Sequence, residues 1–166
     1  GISDCMYQKF WNTQPAGPRI DPSTGQPYVF KIGSLYHYDN CESGEWSSLN
    51  VRAPGASTIE SMIENGNPVA LSVGDEAWMQ SGVKASLYAD VKNCSAAGNK
   101  QCEYVVVPTL SHVISGSAAS IVGFACLHVL DAVLSLLQGL LKTGHMLLIL
   151  RAKVSLEGRE EGGGLG

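Results

Sequence analysis

Between Ser57 and Tyr88 the chain is punctuated so often that no element there can be long. The run reads STIESMIENGNPVALSVGDEAWMQSGVKASLY, with Asn65-Gly66, Asn67-Pro68, Gly74-Asp75 and Ser81-Gly82 as turn dipeptides. Gly and Asn tolerate positive φ and Pro withholds a backbone donor, so each pair ends whatever periodicity precedes it. Ser57 with Glu60 three residues on has capping-box spacing, and Ile59, Met62 and Ile63 then share one helical face up to Asn65-Gly66. These residues predict one short helix over about 57–65. Val69, Leu71 and Val73 alternate with small or polar residues, and so does the run from Val83 to Tyr88; both are expected to be strands. Trp78 and Met79 lead into the turn at Ser81-Gly82.

The flanking sequence has the same short-run character. Tyr7, Phe10 and Trp11 among polar residues predict a first strand, and the prolines at 15, 18, 22 and 27 keep the following loop out of a sheet. Tyr28 to Ile32 reads as a strand that continues past Gly33 through Leu35, Tyr36 and Tyr38; Cys41 to Gly44 turns, and Trp46, Leu49 and Val51 return. Glu103 to Val107 is β-branched and is expected to be a central strand ending at Pro108. Ile121 to Val129, IVGFACLHV, reads as a strand buried on both faces. The expected class is α+β, a predominantly antiparallel β domain with one short helix; an all-β sandwich is the alternative.

Beyond Ala132 the pattern changes. Leu134, Leu137, Leu140, Leu141, Leu147 and Leu148 recur at helical spacing, so 133–153 reads as a divergent amphipathic segment, helical and broken near Gly144. Asp131, Lys142 and His145 interrupt it before the ~20 apolar residues that a bilayer span needs. Residues 154–166, ending EGREEGGGLG, have the composition of a disordered tail.

Five cysteines stand at 5, 41, 94, 102 and 126, with no C-x-x-C pair to suggest a metal or redox site. Cys94 and Cys102 bracket the polar loop SAAGNKQ, as a bridge between neighbouring strands would, and Cys5 is a candidate partner for Cys41. Cys126 is either a buried thiol or a cysteine whose partner is missing. Bridges of this kind need an oxidising compartment. The composition agrees: only 16% of residues are charged and 19 are Gly, which suits a turn-rich β protein outside the cytosol. The net charge of -4, with Lys and Arg dispersed, excludes a nucleic-acid surface.

No catalytic constellation emerges, and the expectation is a non-enzymatic protein without cofactor or metal. His37, His112, His128 and His145 lie far apart. His37, between two tyrosines on a strand, is read as a surface residue, and His128 as a hydrogen-bonded core residue rather than a base. Asp75-Glu76 lacks the further acidic positions of a calcium loop and is read as a turn. There is no G-x-S-x-G and no Gly-rich loop before a helix. Among the aromatic residues, Trp46, Trp78 and Tyr88 are the candidate contacts for a protein partner, because Trp and Tyr are favoured at interface centres.

The segment IENGNPVALSVGDEAWMQSGVKASLYADV resembles the "NGNP, then GD, then W, then a Gly-containing turn, then LY" pattern of TadE/TadG-like proteins, pseudopilin-like components of the bacterial Tad (Flp pilus) assembly machinery. Upstream, DPSTGQPYVFKIGSLYHYDNCESGEWSSLNVRAP, and downstream, NCSAAGNKQCEYVVVP and IVGFACLHVLDAV, are similar to the family's other strands. The likeness covers about Cys5 to Val133. It implies an extracytoplasmic domain over 1–132, held to the membrane through an N-terminal helix absent from this chain. It also implies a periplasmic or extracellular location and partners that are other pilus or secretion-system proteins. Gly1 to Cys5 has neither the basic nor the apolar region of a signal peptide, so the chain is read as a fragment or a processed product. The family pattern places a last strand where 133–153 departs from it, which fits either a shifted reading frame or divergence. An independent secreted or surface-exposed adhesin-like β domain is the alternative.

Overall fold

A computed structural model describes residues 1–10, 20–33, 36–52, 54–80, 85–135 and 147–153. The elements run β1 (Ile2–Ser3), α1 (Asp4–Phe10), β2 (Ile20–Asp21), β3 (Gln26–Pro27), β4 (Val29–Ile32), β5 (His37–Tyr38), β6 (Cys41–Glu42), β7 (Ser47–Leu49), α2 (Ala56–Asn65), β8 (Glu76–Met79), α3 (Ala85–Cys94), β9 (Tyr104–Leu110), β10 (Ala118–Ser135) and β11 (Leu147–Lys153). The class is α+β with mostly strands. One seven-stranded mixed sheet has the order β1-β9-β10-β11-β4, with β8 on the first residues of β10 and β7 on β8. Among the described residues only β1 against β9 is parallel; β2-β3 and β5-β6 form separate hairpins. This single sheet with helices replaces the sandwich alternative.

β10 is the spine. Ala118 to Ser120 pair with β8, Ile121 to His128 with β9, and His128 to Ser135 with β11. Register shifts at Ile121/Gly123 and Val129/Asp131 re-aim the strand between these partners. Ile2, Met6, Phe30, Ile32, Ala125 and Leu127 pack as one core cluster, with Phe10 edge-on to Tyr28, Phe30 and Tyr38. Ala77, Met79, Leu110 and Ile121 form a second cluster, and Val91, Val129 and Ala132 a third.

Several expectations are corrected. Tyr7 and Phe10 lie on helix α1, not a strand: Ser3 Oγ accepts from Met6 N at 3.4 Å, Asp4 complements the helix N-terminus, and Met6 and Phe10, four apart, face the core. Val69, Leu71 and Val73 form no strand, because alternation gains nothing without a neighbour to pair with; Val69 and Val73 stand half or more exposed. Tyr88 lies on helix α3, whose buried Leu87, Tyr88 and Val91 keep helical spacing over a longer window than Val83 to Tyr88.

The helix over 57–65 is there as α2 and ends at Gly66 with φ 77°, but Gly55 is its N-cap and no side chain caps it, so Ser57 and Glu60 make no capping box. The turn after Tyr38 falls at Asp39-Asn40, both at positive φ, rather than at Cys41 to Gly44; a two-residue hairpin loop requires that. β9 continues through Pro108 to Leu110. Leu147 to Lys153, read as helical, is strand β11 inserted between β10 and β4, where ladder pairing on both edges overrides the leucine spacing. Residues 136–146 and 154–166, and with them His145, lie outside the described residues.

Candidate interaction surface

The two anticipated disulfides are both formed. Cys5 on α1 joins Cys41 on β6 with Cα atoms 5.5 Å apart, and Cys94 at the end of α3 joins Cys102 with Cα atoms 4.9 Å apart. The second closes a loop between a helix and the approach to β9, not between two strands. Cys126 is free and exposed, so it is not a buried thiol.

Its exposure follows from the two-sided character of β9 and β10. Val105, Val107, Ala125, Leu127 and Val129 point inward, while Tyr104 is 60%, Val106 71%, Val122 42% and Phe124 39% exposed. The register sets these outer residues side by side, with Tyr104 opposite His128 and Val106 opposite Cys126, while Phe124 stands opposite the buried Pro108. Directly opposed residues lie ~5 Å apart, so they form one continuous apolar surface. At one end it is bordered by a polar pair. His128 Nε2 sits 2.8 Å from Glu103 Oε1, and its ring stacks on Tyr104 at 4.6 Å between centroids. His128 is thus hydrogen-bonded as expected, but half-buried at the margin of this surface.

The residues anticipated as contacts do not gather there. Trp46 and Tyr88 meet each other: the rings cross edge to face at 5.5 Å, and Trp46 Nε1 donates to Tyr88 Oη at 3.3 Å. Tyr88 is buried, which removes it as a contact. Burial pushes its hydroxyl pKa up to about 12; the Trp46 hydrogen bond opposes the shift, and the Glu45 and Tyr36 charges reinforce it. Trp78 lies elsewhere, on β8, under the Arg52 guanidinium at 5.3 Å. The sequence carried a weak signal for this open face, since His128 breaks an otherwise apolar run at an outward position.

No family model matches the chain, nor does any curated protein or solved structure. His37 is exposed, His112 Nδ1 lies 3.2 Å from the neighbouring Ser111 Oγ, and Asp75 Oδ2 accepts from Ser72 N within its own turn. Among the described residues, no three His, Cys, Asp or Glu side chains converge as a metal site, and no helix is long and apolar enough to cross a membrane. Along β9, a cavity of about 580 Å³ is lined by Tyr104 to Pro108 and Phe124, by Trp46, Ser47 and Leu49, and by the helix-α2 residues Ile59, Met62 and Ile63.

Proposed function

We propose that this chain is a non-enzymatic interaction module of the bacterial envelope, of the Tad (Flp) pilus-assembly type, which offers one sheet face to another protein of the apparatus. The observation that carries the reading is the open face of β9 and β10, where Tyr104, Val106, Val122 and Phe124 stay exposed on strands packed on their other side. A contiguous apolar patch of this kind marks an association site, and an aromatic at its centre suits an anchor. The two cross-links and the sequence resemblance support the extracytoplasmic setting.

Deleting the coding sequence in the organism that carries it is expected to abolish Tad pili. The natural protein restores them, and a V106E/F124E variant with an unchanged thermal midpoint does not. Normal pili in the deletion strain, or full complementation by the double variant, would end the reading.

A further inference from the structure

β1 is two residues long, yet it is held on both edges. On one side it runs parallel to β9, with Ile2 beside Thr109 and Ser3 beside Leu110. On the other, Ser3 N donates to Ser43 O at 3.1 Å, Glu45 N to Gly1 O at 3.2 Å, and Gly1 N to Glu45 O at 3.1 Å. Going back from Gly1, both flanks continue while β1 does not: β9 runs from Pro108 to Tyr104, and the other flank from Glu45 to Leu49. The 580 Å³ cavity lies between them, and every residue of β9 from Tyr104 to Pro108 lines it. Successive residues of a strand face opposite ways, so a cavity touching all five, together with the outward Phe124 and the inward Leu127 and Val129 of β10, wraps the strand's edge rather than lying over one face. Among the described residues nothing pairs with that edge of 104–107. Val105 and Val107 point to the core side yet are only half-buried.

We propose that this slot receives main chain running into Gly1: an extended segment placed directly ahead of that residue continues β1 in parallel along β9 as far as Tyr104. Four residues cover the distance at a rise of ~3.3 Å each. The first and third ahead of Gly1 point inward with Ile2, which is fully buried, and so should be apolar.

The occupant follows from continuity with a pairing already present, on the same edge and in the same direction. The chemistry at Gly1 agrees. A terminal amine in that place is buried and its pKa is held down to about 5, by desolvation first and against the attraction of Glu45. A peptide N–H makes the same bond to Glu45 O without a charge to desolvate. For an anchored module, a segment arriving this way would be locked to the sheet instead of hinged at its margin. That purpose rests on the proposed function; the geometry does not.

Three versions of the chain test it, each with four extra residues ahead of Gly1: Thr-Val-Thr-Val, the phase-shifted Val-Thr-Val-Thr, or Gly-Ser-Gly-Ser. The in-phase extension should raise the thermal midpoint by about 4 °C or more over the Gly-Ser version, and the shifted one by less than half of that. Hydrogen exchange of the 104–107 amides that point away from β10 should slow by about tenfold or more. A V107K substitution should cancel the gain without lowering the midpoint of the Gly-Ser version by a comparable amount. Equal midpoints and equal exchange in all three versions would overturn the proposal. So would protection of those amides only by a free Thr-Val-Thr-Val peptide, which would make the slot a partner's site. Neither readout depends on pili, so this idea and the proposed function can fail separately.

Discussion

The two sides of β9 and β10 carry similar residues and meet opposite fates. Inward, Val105, Val107, Ala125, Leu127 and Val129 lie against Met6 of α1, Phe30 of β4 and Val91 of α3; outward, Tyr104, Val106, Val122 and Phe124 face solvent. A strand's own composition does not decide which side is core. The helices that cover one side decide it, and their sequences lie elsewhere in the chain.

The largest test of that contrast removes what holds the cover in place. Replacing Cys5 and Cys41 together by Ala should cost about 4 kcal/mol in denaturant unfolding, because that bridge spans 36 residues; the Cys94–Cys102 bridge spans 8, and its removal should cost about 2.5. If the order were reversed, α1 would not be the critical cover. Next, Leu127→Ala on the buried side should cost about 3 kcal/mol by equilibrium denaturation, a value in the range for a fully packed leucine.

A smaller effect concerns α3. Tyr88 titrates near 10 when unfolded and at about 12 when folded, so the unfolded chain loses its proton first. Stability from this group is therefore complete below pH 10 and falls between pH 10 and 12, by about 2 kcal/mol. Tyr88→Phe should remove that slope in a pH series of melting curves. Smallest of all, Phe124→Ser on the open side should shift stability by less than about 1 kcal/mol. A loss as large as that of Leu127→Ala would mean that the outer face is covered after all.

How much of this could be read in the residues depends on range. The Cys94–Cys102 pair, helix α2 with its Gly66 stop, and the β4 and β9 strands rest on local signals of spacing and turn chemistry; Cys5 and Cys41, 36 residues apart, are legible only as candidate partners. Helix α3 did not show because Val83 to Tyr88 alternates over a window too short to separate period 2 from 3.6; adding Val91 separates them. β11 did not show because its leucines satisfy helical spacing, and only two neighbouring strands make it extended. The open face stayed hidden for a related reason. Ile121 to Val129 is apolar at nearly every position, so period 2 marks no side as wet, and the aromatic residues singled out, Trp46 and Tyr88, satisfy each other.

One further consequence lies in β10. Since its 18 residues supply ladder partners to β8, β9 and β11 in turn, none of these three can detach without stripping bonds from the same polypeptide that holds the other two. Unfolding should therefore be a single cooperative event across the whole sheet, with amides of all three neighbours exchanging at one common opening free energy despite their separation along the chain.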